Sequence, residues 1–163
     1  MRAAIVERAI QPATLLAEVA SAAHGASALF AGTVRDMNDG RAVTGIEYSS
    51  YAGMAEKEMQ RILDEAAARF GVTAIVMEHR VGAFALAEVS VAIAAAHAHR
   101  EPALDALRYC IEQIKQRVPV WKRELYADGT REWIDPTAAR ATAGVAAGVP
   151  PTRTPSAGSS SHA

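Results

Sequence analysis

Two long amphipathic segments, each closed by a hard stop, most strongly limit what this chain can fold into. Over 53–71, "GMAEKEMQRILDEAAARFG", Met54, Met59, Ile62, Leu63, Ala66 and Phe70 lie near one stripe, and Glu56, Lys57, Glu58, Arg61 and Asp64 cover the rest. Gly71 is a natural C-terminal stop. Over 101–118, "EPALDALRYCIEQIKQRV", the apolar face is Leu104, Leu107, Ile111, Ile114 and Val118. Pro102 suits the first turn, and Pro119 forces Val118 out of the helix.

The segments around these helices read as strands. "AAIVERAI" (3–10) is a short strand, and Gln11-Pro12 then opens a further helix that reaches His24-Gly25. "SALFAGTVR" (27–35) and "AVTGIEYSSY" (42–51) are strands, expected to pair with each other across the polar loop "DMNDGR" with its Asp39-Gly40 turn. Further strands are expected at 73–82 and 88–99, and a hairpin about Asp128-Gly129 over 119–135. This order implies an α+β fold with a mixed or antiparallel sheet.

A chain of 163 residues suits one domain, placed at 1–138. Sixteen of the twenty residues 144–163 are Gly, Ala, Pro, Ser or Thr, so 139–163 is expected to be a disordered tail. Lys and Arg number 17 against 18 Asp and Glu, a net charge of -1, which argues against a duplex-DNA binder. Cys110 is the only cysteine, so no internal disulfide or cysteine-rich zinc site can form, and a reducing cytoplasmic setting fits. Glu7 and Arg8 interrupt the N-terminal apolar run, so no export signal is expected, and 89–99 is too short to span a bilayer.

Three places carry unusual polar groups. Arg35 leaves a strand into the Asn/Asp/Gly loop, where its planar fork could meet a phosphate or carboxylate, or simply water. In "AHAHRE" (96–101), His97 and His99 share a strand face by period 2. They could bind a metal, but Glu101 is a weak third ligand, and no metal is expected. The other reading is an anion site, with His99 and Arg100 at a helix N-terminus.

The third place is "QRVPVWKREL" (116–125). Lys115 ends the helix, where the helix dipole alone would favour it. On the following strand Val120, Lys122 and Glu124 face one way, and Trp121, Arg123 and Leu125 the other. Lys122 could thus return beside Lys115, and Arg35, His99, Arg100, Lys115 and Lys122 could share one anion pocket. An RNA-binding module using Trp121 with these cations, and a metal hydrolase using His97 and His99, are the competing readings.

Taken together, "FAGTVRDMN", "YSSYAGMAEKEM", "EHRVG", "AHAHRE" and "IKQRVPVWKRE" resemble, in this order, the catalytic (large) subunits of molybdopterin synthase, the MoaE family. The resemblance runs from about residue 3 to 135. It implies an α/β hammerhead-type fold with two main helices and a β-hairpin extension. It also implies sulfur transfer from the thiocarboxylated Gly-Gly terminus of a small ubiquitin-like subunit to cyclic pyranopterin monophosphate, forming a dithiolene. The large subunits would pair as a homodimer within a heterotetramer, with no cofactor of their own.

By the same resemblance Lys115 and Lys122 are the active-site lysines. Thr33, Val34 and Arg35 match a substrate-contacting segment, and His99 and Arg100 match a pair supplied by the neighbouring protomer. Arg123 and Glu124 complete the segment after the second lysine. Arg35, His99 and Arg100 would hold the phosphate and pterin, Lys115 would lead in acid/base or covalent work, and Lys122 would orient the thiocarboxylate. One departure is Ala87, where the family often has glycine.

Overall fold

The computed structural model describes residues 1–134. The domain limit at 138 and the expected 139–163 tail lie outside the described residues. The elements run β1 (Arg2–Val6), α1 (Pro12–Val19), β2 (Ala26–Thr33), β3 (Met37–Asn38), β4 (Arg41–Ser50), α2 (Ala52–Phe70), β5 (Ala74–Arg80), β6 (Gly82–Phe84), β7 (Val89–His97), α3 (Arg100–Arg117), β8 (Val120–Tyr126) and β9 (Arg131–Ile134).

The first sheet has the order β1-β5-β7-β2, with β1 parallel to β5 and the other pairs antiparallel. β7 is apolar without alternation because both its faces are covered. Val91, Ile93 and Ala95 pack with α2 and α3, while Ala92, Ala94 and Ala96 pack with Leu15 and Val19 of α1. The second sheet has the order β3-β4-β8-β9, with β6 also on β4, and its core is Val34, Val43, Ile46, Phe84 and Tyr126. The α+β class, the mixed sheet, the two main helices and the hairpin extension are all present.

Four local expectations change. The strands at 27–35 and 42–51 do not pair with each other. β2 pairs with β7 along its length and β4 pairs with β8, so the two belong to different sheets. β7 buries both faces and needs strands on both sides, and β2 fills its free edge. The Asp39-Gly40 turn closes a smaller hairpin instead, between β3 and β4, with φ of 48 and 76.

The other three concern helices. α1 stops at Val19, and Ala20 is already extended. The His24 ring bonds the Val19 carbonyl and Ser21 Oγ accepts the Ala23 N–H, so side chains take over the last turn. On α2, Met54 is exposed and Ala55 is buried in its place. On α3 the buried line is Ala103, Ala106, Cys110 and Ile114, while Leu104 is exposed. Small residues let α3 lie close on β7, β2 and α2, and the larger Leu107 and Ile111 flank the contact. Gly71 and Val118 behave as their stop signals require, left-handed at φ 69 and extended at φ -76 and ψ 126 respectively.

Candidate active site

Pro119 ends α3, and the chain enters β8 at Val120, whose N–H donates to the Val118 carbonyl at 2.8 Å. β8 lies antiparallel to β4, with Lys122 opposite Tyr48 and Glu124 opposite Ile46. Period 2 turns Val120, Glu124 and Tyr126 inward, all buried, and Lys122 is half-buried on that face.

Glu124 is 2% exposed. An ionised carboxylate at that depth persists only if its oxygens find donors. Oε1 accepts from Lys122 Nζ at 2.7 Å. Oε2 accepts from Asn38 Nδ2 at 2.9 Å and from the Tyr126 hydroxyl at 2.5 Å. Burial pushes the Glu124 pKa up, but the bonds from Lys122, Tyr126 and Asn38 outweigh it and hold the carboxyl below its usual value. The same bond to Glu124, with burial, raises the Tyr126 phenol.

The network reaches Arg35 through Asn38, whose Oδ1 accepts from the guanidinium at 2.6 Å. Thr33 is the exposed last residue of β2. Val34 is buried and pinned to the β6–β7 turn: its N–H donates to Glu88 O at 3.0 Å and its carbonyl accepts from Ala87 N–H at 2.7 Å. With its side chain buried and its N–H and carbonyl both engaged, Val34 can offer a substrate little directly. Ala87 itself stands at φ 67, left-handed geometry that favours glycine. The departure noted in the sequence is a backbone feature of the turn that holds the Arg35 segment.

The opposite face of β8 has other work. Arg123 pairs with Glu47 and lies over the Trp133 ring, 5.0 Å from its centre. Trp121 meets Tyr51 edge-on at 5.7 Å. A half-buried tryptophan held this way is a poor stacking platform for a base, which weakens the RNA-binding reading.

Residues 5–117 match the MoaE protein family. This chain belongs to the MoaE family.

It is 40% identical over 129 residues to the molybdopterin synthase catalytic subunit of Thermoplasma volcanium, covering 79% of this chain and 94% of that one. To the longer relative of the same name from Emericella nidulans it is 39% identical, over 76% of this chain and 64% of that one. The crystal structure of molybdopterin synthase from Staphylococcus aureus superposes with a TM-score of 0.76 at 34% identity, over 80% of this chain and 95% of that one. At 23% identity, the complex of subunits 1 and 2 of molybdopterin-converting factor from Helicobacter pylori shares the fold, with a TM-score of 0.67 over 80% of this chain and 88% of that one.

In this MoaE chain the expected site residues fall into two groups. Arg35, Lys122 and Glu124 come together in one hydrogen-bonded network. Lys115 is exposed on the last turn of α3, which leads directly into β8. His99 caps the other end of α3, and Arg100 is its first residue. Fifteen residues of helix rise separate Arg100 from Lys115, about 22 Å. The sheet separates them too. β2 pairs Ala26 with His97 and Thr33 with Val89, so Arg35 leaves the end of β2 far from His97. Seven strand residues span about 23 Å. One chain therefore does not form a pocket from all five cations, because α3 and β7 each run the full length of the sheet.

His97 accepts the His99 backbone N–H at 3.1 Å, with the two rings 6.0 Å apart. Among the described residues no group of three or more His, Cys, Asp and Glu could hold a metal ion, and no helix is long and apolar enough to cross a membrane. The sequence reading did not assign Asn38 or Tyr126 to the site. Tyr126 continues the Val120, Lys122, Glu124 parity, which was a usable signal. Asn38 comes in from another hairpin, and nothing local points from it to Glu124.

Proposed function

We propose that this chain is the catalytic subunit of a molybdopterin synthase and works as a sulfurtransferase. It would take sulfur from the thiocarboxylated C-terminus of a small ubiquitin-like subunit and place it on cyclic pyranopterin monophosphate, two transfers making one dithiolene. The observation that carries this reading is that Arg35 and Lys122, far apart in a chain of the MoaE family, join through the Asn38 amide and one buried carboxylate. The names of its relatives, which are molybdopterin synthase catalytic subunits, support the same reading.

Each side chain then has a task suited to its chemistry. Arg35 offers a planar fork to a phosphate or to the pterin edge, beside the exposed Thr33, while Val34 anchors the segment. Lys122, held by Glu124, receives the thiocarboxylate. Lys115, exposed at the end of α3 just before β8, serves as the acid/base or covalent lysine. Arg123 keeps β8 on β4 through Glu47 and contributes indirectly. His99 and Arg100 complete the site from a second protomer, a reading supported by their place at the far end of α3 from Lys115, and the working unit is then a homodimer within a heterotetramer. The small subunit is the expected partner, and the H. pylori two-subunit complex of the same fold supports that expectation. A reducing cytoplasm suits a chain whose lone cysteine is a buried free thiol.

Reconstitution with thiocarboxylated small subunit and the pterin precursor tests this. Wild type should form dithiolene. Lys115→Ala should lose at least about a hundredfold in turnover, the usual scale for an acid/base group, while still folding and binding the small subunit. Wild-type turnover by Lys115→Ala would remove the role given to that lysine, and an inert wild type would remove the function.

A further inference from the structure

We propose that Asn38 is a positioning residue that locks Arg35 and Lys122 into one unit through Glu124. The inference rests on the function proposed above and concerns the same site. Arginine can only donate hydrogen bonds, and an ionised carboxylate can only accept them. A group that bridges the two must accept on one side and donate on the other. The Asn38 amide does both, with Oδ1 on Arg35 at 2.6 Å and Nδ2 on Glu124 at 2.9 Å. The flipped amide would set NH2 against the guanidinium and oxygen against the carboxylate, so the partners dictate its orientation. An aspartate would lose the donor, and an aliphatic residue would lose both contacts.

The fold holds Asn38 at this point. The Asp39-Gly40 turn sets Asn38 opposite Arg41 across the β3–β4 hairpin. Arg41 lies over the Tyr126 ring, 3.5 Å from its centre, and pairs with Asp128 and Glu132. The hairpin that carries Asn38 is thereby fastened to the β8–β9 hairpin that carries Glu124. Tyr126 supplies the second donor to Oε2, which leaves Oε1 to Lys122. Arg35 is otherwise an exposed side chain with many rotamers. Without Asn38 the entropy of ordering it falls on substrate binding. Asn38 therefore acts on affinity for the anionic substrate, through Arg35, and not on the chemical step.

Two measurements test this. The first needs no substrate: NMR of the labelled full chain reads the mobility and exchange of the Arg35 guanidinium. Asn38→Ala should speed both several-fold, and an unchanged Arg35 overturns the proposal. The second is kinetic, in the reconstituted complex. Asn38→Ala should raise KM for the pterin precursor about tenfold while kcat stays within about twofold. In an Arg35→Ala background the same change should raise KM less than about twofold, because its route is gone. An equal rise in both backgrounds, or a loss confined to kcat, overturns the proposal. Should Asn38→Ala fold poorly, Asn38→Ser is read the same way, since one hydroxyl cannot span both partners. A wild type without turnover sinks the proposed function and leaves the NMR measurement to judge this inference.

Discussion

Glu124 shows how one buried charge organises a site. Alone, it would cost several kcal/mol to bury; with three donors it becomes the point at which three side chains from two hairpins are held. Two other residues lead to direct predictions. His79 is 6% exposed, and burial brings its pKa down from 6.5 to about 4, with the Arg80 carbonyl offsetting a little. The unfolded chain protonates it near its ordinary value, so unfolding takes up a proton throughout that window. Its contribution is complete above the unfolded pKa and drains away as pH falls toward the folded one, by about 3 kcal/mol. Urea melts from pH 7 to 4 should show that loss, and His79→Gln should flatten it. Ala87 occupies left-handed backbone at φ 67. Ala87→Gly should raise stability by about 0.5–1 kcal/mol, the relief of strain less the added chain entropy, read as a higher urea midpoint with an unchanged slope. The period of β8 already pointed Lys122 and Glu124 the same way. The bonds that fill Glu124 come from Asn38, 86 residues away, and no local pattern contains such a contact.

Elements were legible wherever an end signal was chemical. Gly71 and Pro119 close α2 and α3 where a left-handed residue and a ring without an N–H must. The side each helix buries was less legible, because the largest apolar residues are not the ones that touch the sheet. In α3 the line Ala103, Ala106, Cys110 lies against β7 and β2, and the Cys110 thiol is pushed up to about 12 by burial, which makes it unreactive. Ala106 has no exposed surface. Ala106→Leu should cost about 1–3 kcal/mol by pushing α3 off the sheet, whereas Leu104→Ala, at a 55% exposed position, should cost under about 0.5 kcal/mol. Thermal melts of the two variants check the order, and the reverse order would mean that the face reading is wrong.

At the scale of the whole molecule, α3 and β7 hold His99 and Arg100 at one end and Arg35, Lys115 and Lys122 at the other. A site that needs both sets must draw on two chains, and this can be tested by mixing. His99→Ala and Lys115→Ala chains, each inactive alone, should recover about a quarter of wild-type activity when unfolded and refolded together. In the proposed homodimer half the dimers are then hybrids, each with one intact site. No recovery would mean that one chain supplies the entire site. The sequence by itself determined the main elements, the stops of α2 and α3, the α+β class and, through its ordered motifs, the family. These rest on local dihedral preference and on periodicity, which a few neighbouring residues express in full. Only the tertiary structure decided that β2 and β4 enter different sheets, that Asn38 bridges Arg35 to Glu124, and that the cations divide between two ends. Strand partners and buried hydrogen bonds are settled by which surfaces compete for the same cover, and that competition involves the whole chain at once.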